Sequence, residues 1–189
     1  MDGPAVGTKG THIIQARGWV DAQLGAGAFD RFAAEAGVAS ELSKTTAMRW
    51  YSVPALVKTL SLVGQKLNLS LRQVSGEVAK QNAKHDLKTI YRVFMTVVGP
   101  VNVLKRSEAM YSTYQNFGAA KTTRNEPGHY ECLVTGIPIE VVEWSVGVGP
   151  AFLAAAATAA GGKNAISEAT APTADASGIC SWSLSLKYG

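Results

Sequence analysis

Apolar residues recur at helical spacing through most of the first two thirds of the chain. In GTHIIQARGWVDAQL, Ile13, Ile14, Trp19, Val20 and Leu24 fall near a 3.6-residue period, which predicts a helix over Gly10–Leu24. Residues 28–36 read as a short second helix that Gly37 can stop. Pro54 suits a first helical turn, and Leu56, Leu60, Val63 and Leu67 then follow at steps of four, three and four along one face. Ser70, with Gln73 three positions on, has the spacing of a capping box at the head of LRQVSGEVAKQ. Asp86 either caps a new helix or continues the old one into LKTIYRVFMTVV, where Leu87, Ile90, Tyr91, Phe94 and Val98 share a face. Gly99 and Pro100 end that run, because proline has no N–H to donate and restrains the residue before it. VNVLKRSEAMYSTYQNFG, residues 101–118, reads as one further helix closed by Gly118.

After Gly118 the pattern changes. KTTRNEPGHY is polar and rich in turn residues, which predicts an exposed loop or linker, and HYECLVTG reads as a short strand. IEVVEWSVGVGPAFLAAAATAAGG reads as a helix that bends at Pro150. Two strands are then expected in ISEATAPTA and GICSWSLSLKYG. In the second, Cys180, Trp182, Leu184, Leu186 and Tyr188 alternate with Ser181, Ser183, Ser185 and Lys187, so one face is buried and the other wet. The expected fold class is α+β: a helical N-terminal layer packed on a small antiparallel sheet, with a C-terminal helix. The expected organisation is a single domain over 1–189, mainly helical over 1–118 and strand–helix–strand–strand over 119–189.

Composition supports a globular chain. With 189 residues, 47% of them hydrophobic and 17% charged, the protein can bury a core of ordinary size. The uncharged stretch 146–162 is mostly alanine and glycine with Pro150 inside it, which reads as a core helix rather than a membrane span. MDGPAVGTKGTHII lacks the basic-then-apolar order of a secretory signal, so the expected location is cytoplasmic. Only Cys132 and Cys180 are present, too few for a disulfide framework, and both are expected to be reduced and packed in the core. A net charge of +4, from 18 basic against 14 acidic residues, permits an anionic partner without demanding one. Lys80, Lys84, Lys88 and Arg92 would draw one basic stripe on a continuous helix, which reads as a solvated face; nucleic acid is not an expected partner.

Catalytic motifs are missing from the sequence. It has no glycine-rich phosphate loop, no HExxH, no paired CxxC and no GxSxG, so the expectation is a protein that is not an enzyme. His12, His85 and His129 lie far apart and read as surface or hydrogen-bonded histidines. Cys132 and Cys180 with one histidine could offer three metal ligands if their strands pair, but the spacing is weak and no metal is expected.

TKGTHIIQARGWVDAQLG, the pair Trp50-Tyr51 before a helix, SGEVAKQNAKHDLKTIYRVFM and VNVLKRSEAMY resemble the N-terminal helical part of haem nitric oxide/oxygen-binding (H-NOX) domains. YECLVTG, the long helix and the closing GICSWSLSLKYG look more like relatives of those domains: vinyl-reductase-type ligand-binding domains, the small subunits of the TRAPP tethering complex, and an uncharacterised bacterial family frequent in myxobacteria. In the haem-binding members a proximal histidine follows a VNFL-like start by ten residues. The matching start here is Val101-Asn102-Val103-Leu104, and the matching ligand position is Tyr111. The Tyr-x-Ser-x-Arg motif that holds the haem propionates corresponds to Tyr130-Glu131-Cys132-Leu133-Val134, which keeps the tyrosine but has cysteine for serine and valine for arginine.

The resemblance therefore implies the shape without its haem; the zinc held by some relatives through closely spaced C-terminal cysteines is not expected either, since Cys180 stands alone. No cofactor is expected. The expected role is a haem-less small-molecule or lipid-binding sensor or regulatory domain. Phe94, Tyr111, Tyr114, Cys132 and Trp144 would line an internal apolar space for a small molecule or acyl chain. The alternative is a non-catalytic interaction or scaffold module with a filled core. In either case a homodimer or a protein partner is implied, as relatives often pair.

Overall fold

The computed structural model describes residues 3–89 and 99–189, and for Asn82 and 84–89 the backbone only. Phe94, the apolar face around it, and the basic stripe beyond Lys80 lie outside the described side chains. Strand β1 (Gly7–Lys9) leads into α1 (Gly10–Leu24), which buries Ile13, Ala16, Trp19 and Val20. β1 pairs antiparallel with β2 (Trp50–Ser52); three residues each are too few to show alternation in the sequence. Between them lie α2 (Ala28–Glu35), followed by Gly37 at φ 71°, and the single turn α3 (Ala39–Leu42).

The Ser52 hydroxyl accepts the Ala55 N–H at 3.2 Å and so caps α4 (Val53–Leu67), with Pro54 in its first turn and Leu56, Leu60 and Val63 buried. The capping box before α5 (Leu71–Thr89) forms in both directions: the Gln73 N–H donates to Ser70 Oγ at 3.2 Å, and the Ser70 N–H donates to Gln73 Oε1 at 2.8 Å. Asp86 lies inside α5 and starts no new helix.

Two expectations are corrected in the next segment. Residues 101–118 do not form one helix. Residues 99–104 are helical, the chain turns at Lys105 and Arg106, and α6 (Ser107–Tyr114) begins afresh. The cause is tertiary: the buried Ser107 hydroxyl lies 2.5 Å from the Tyr130 hydroxyl, which fixes the start of α6 against the sheet. Gly118 ends no helix; at φ 63° it turns the chain into β3 (Ala119–Glu126). The polar stretch read as a loop is thus a strand, and it forms a hairpin with β4 (His129–Pro138) through Pro127 and Gly128. The register slips between Thr122 and Arg124, and there the Thr122 N–H donates to the Glu108 carboxylate at 2.6 Å.

A 3-10 turn (Ile139–Val141) leads into α7 (Val142–Ala159), which contains Pro150 and packs against α5 and the sheet. By composition Ile139–Ala159 is long and apolar enough to cross a membrane, the one such helix among the described residues. α5 and α7 cross at small residues, with Gly76 facing the Gly147 carbonyl and the Ala151 side chain. The chain closes with β5 (Ile166–Ala169), β6 (Thr173–Ala174) and β7 (Ile179–Lys187), so ISEATAPTA is split into two strands. The antiparallel order is β3-β4-β7-β5, with β6 also on β7. β7 alternates as its sequence predicts, burying Cys180, Trp182, Leu184 and Leu186. The fold class is α+β. The order from residue 119 is strand–strand–helix–strand–strand–strand, one strand richer at the start and one at the end than expected.

Candidate functional site

The inner face of the sheet, α6 and α7 line a cavity of about 110 Å³. Its walls follow from periodicity. Alternation along β4 points Tyr130, Cys132 and Val134 inward, and β7 sets Leu184 opposite Cys132 and Trp182 opposite Val134. Helical spacing brings Ser107, Met110, Tyr111 and Tyr114 of α6, and Trp144, Val148, Gly149 and Phe152 of α7, to the same space. α1 contributes His12. Gly149 is required by proximity: a Cβ there would lie 2.7 Å from Cη2 of the Trp182 indole, which rests on the α7 backbone.

Of the five residues the sequence nominated, Tyr111, Tyr114, Cys132 and Trp144 line this cavity, and Phe94 lies outside the described residues. Sequence reasoning passed over His12, Gln115 and Trp182. The available signal for His12 was its i, i+4 relation to Thr8, whose hydroxyl lies 2.6 Å from His12 Nδ1. The same hydroxyl lies 3.1 Å from the Tyr114 carbonyl oxygen, to which it can donate. The His12 ring stacks on Tyr114 at 5.5 Å between centroids and meets the Trp144 ring edge at 6.4 Å.

Hydrogen bonding divides the polar groups of the wall. Tyr130 is fully buried, with its hydroxyl 2.5 Å from Ser107 Oγ and 3.3 Å from Thr122 Oγ1. Burial pushes its phenol up to about 12, against a downward pull from those two hydroxyls. Burial likewise holds the Tyr111 phenol well above the usual tyrosine range, with the nearby Cys132 acting in the same direction, and Tyr111 has no hydrogen bond among the described residues. The Trp182 Nε1–H and the Gln115 Oε1 are buried without a partner among the described residues.

The cysteines sit apart. Cys132 faces Leu184 and Cys180 faces Ile137 in the β4–β7 register, so strand pairing does not bring the two thiols together. Among the described residues no three His, Cys, Asp or Glu side chains gather to hold a metal. Both thiols are buried, at 3% and 2% exposure, and burial pushes both up from the usual cysteine range. Native-state labelling with a thiol reagent is therefore expected to be slower for both than in urea by orders of magnitude, since the thiolate is the reacting form. Fast native labelling of either would show that its strand face opens to solvent.

No family model and no curated protein matches the chain. Solved structures do. A point mutant of the T. tengcongensis H-NOX aligns at a TM-score of 0.70 with 13% identity, over 95% of this chain and 97% of that one. An oxygen-binding H-NOX domain related to soluble guanylate cyclases, in its oxygen complex, aligns at 0.68 with 12% identity, over 95% and 94%. The Fe(II) unliganded H-NOX protein from K. algicida aligns at 0.69 with 10% identity, over 96% of both chains. At these identities the likeness establishes architecture: the chain has the H-NOX fold.

Proposed function

We propose that this protein is a haem-less ligand-binding domain of the sensor kind, which receives a compact and largely apolar molecule in the cavity between α6, α7 and the sheet. The observation that carries this reading is the wall itself: aromatic and aliphatic side chains from six elements line about 110 Å³ of space. A dry cavity of about 150 Å³ accepts benzene or xenon, so this one suits a molecule of about one small ring. A filled core serving only as an interaction module would leave no such space.

The residues present do not fit haem. A tyrosine binds iron as its phenolate, yet burial holds Tyr111 in its neutral form and no neighbouring base hydrogen-bonds to it among the described residues. Val134, 4% exposed, puts hydrocarbon where the resemblance requires an arginine for the propionates, and among the described residues no lysine or arginine lines the cavity. Titration with haemin is expected to give no saturable Soret band; a one-to-one band that disappears in Tyr111→Phe would overturn the haem-less reading. Xenon NMR tests the cavity, with a saturable exchange-shifted signal expected. The absence of any saturable xenon site would return the domain to the filled-core alternative. The phenols and the thiol of the wall are held in their protonated forms, which suits binding rather than nucleophilic turnover.

A further inference from the structure

Resting on the cavity reading above, the donors left over in its wall define the ligand further. Trp182 is 3% exposed, and its Nε1–H can only donate. Tyr111, on α6, lines the same space, and its hydroxyl takes no hydrogen bond among the described residues. Gln115, 7% exposed, leaves its Oε1 unpartnered while its Nε2 sits 3.4 Å from Nδ1 of His12. Where Thr8 gives its hydroxyl proton to Tyr114, Nδ1 carries a hydrogen, and a half-turn of the Gln115 amide gives its oxygen to Nδ1–H and leaves the NH₂ as the unpartnered end. Trp182 and Tyr111 offer their donors in either arrangement. Tyr130 and Ser107, by contrast, satisfy each other.

Charge narrows the class. Among the described residues no aspartate, glutamate, lysine or arginine lines the cavity, so an anion or a cation entering it would lose its hydration without compensation from them. A pure hydrocarbon would fill the space and leave the buried donors unmet, each an unpaired group that a suitable ligand can satisfy. We infer that the physiological ligand is a small neutral molecule with a carbonyl-type acceptor oxygen, held by the Tyr111 hydroxyl and the Trp182 indole N–H.

The test compares cyclopentanone with methylenecyclopentane, which has nearly the same shape with CH₂ in place of the oxygen, on the full chain and on Tyr111→Phe and Trp182→Phe. Affinities come from NMR titration, and the bound ketone is read by its infrared carbonyl stretch. The preference for ketone over hydrocarbon is expected to fall about tenfold in Tyr111→Phe and in the same direction in Trp182→Phe. Taking the ratio within each protein cancels the cost of desolvating the ketone. The bound carbonyl stretch is expected to lie below its value in alkane solvent and to move back towards it in Tyr111→Phe. Tyr111→Phe removes one oxygen and keeps the ring, so it provides the result even if Trp182→Phe does not fold. An unchanged ratio with an unshifted stretch overturns the inference. Binding of the hydrocarbon alone by the wild-type chain overturns it while leaving the apolar cavity standing, and binding of neither probe overturns both.

Discussion

Gly147→Ala is expected to lower stability by about 3 kcal/mol or more, read as a shift in the urea midpoint of the purified chain. Gly147 lies where α7 crosses α5. A Cβ added there would sit well inside van der Waals contact distance of the Arg72 carbonyl oxygen and 2.9 Å from the Ser75 Cβ. The first obstacle is backbone, which cannot rotate away, so the two helices would have to separate. Packed interiors resist such separation because every neighbouring contact weakens with it. Gly18 provides the control. It lies on α1 with nothing within 4 Å of an added Cβ, and Gly18→Ala is expected to raise stability by about 0.5–1 kcal/mol through helix propensity. Equal midpoints for the two variants would show that the crossing is loose.

Alkaline pH is expected to unfold the protein with a slope set by its buried phenols. In the unfolded chain tyrosine ionises near pH 10, whereas burial holds Tyr130 up to about 12 and moves Tyr111 upward as well. Above about pH 10 the unfolded chain releases protons that the folded chain keeps. The stability is therefore complete below that pH and is lost as pH climbs towards the folded values, by about 1.4 kcal/mol per pH unit for each such phenol. Urea midpoints measured from about pH 8 to about pH 12 would show the decline, and Tyr111→Phe should flatten it by the contribution of one group. Tyr130→Phe should flatten it too, but from a lower starting stability, because the buried Ser107 hydroxyl loses its 2.5 Å partner. A wild-type midpoint that holds steady through this range would mean that these phenols reach solvent.

Where local chemistry and tertiary environment agree, the sequence could be read directly. The Ser70–Gln73 box, the Leu56–Leu60–Val63 face and the alternation of β7 each depend on neighbours close in the chain. β3 was illegible because it carries few apolar residues; its pairing with β4 supplies what its own pattern lacks. The break at Lys105 and Arg106 was hidden because both residues favour helices, and the contact that imposes it joins Ser107 to a residue 23 positions away. Tyr111, Tyr114, Cys132 and Trp144 could be nominated from periodicity and resemblance. Gln115 and Trp182 could not be singled out, since a missing hydrogen bond is a property of the packed state and leaves no trace in residue order.

The slip in β3 bears on how the protein behaves in concentrated solution. β3 is an outer strand of the sheet, and such a strand offers free backbone groups to any neighbour able to extend the ladder. Here the Thr122 N–H is already held by Glu108, and the exposed Lys121, with the Arg124–Glu126 pair at 2.7 Å, places charge along the same margin. The hydrogen bond from Thr122 also holds the Glu108 carboxyl below the usual glutamate range, so this guard stays in place in mildly acidic solution. Growth into fibrils by strand addition is discouraged at β3, and self-association through that margin would first have to displace a carboxylate already bound.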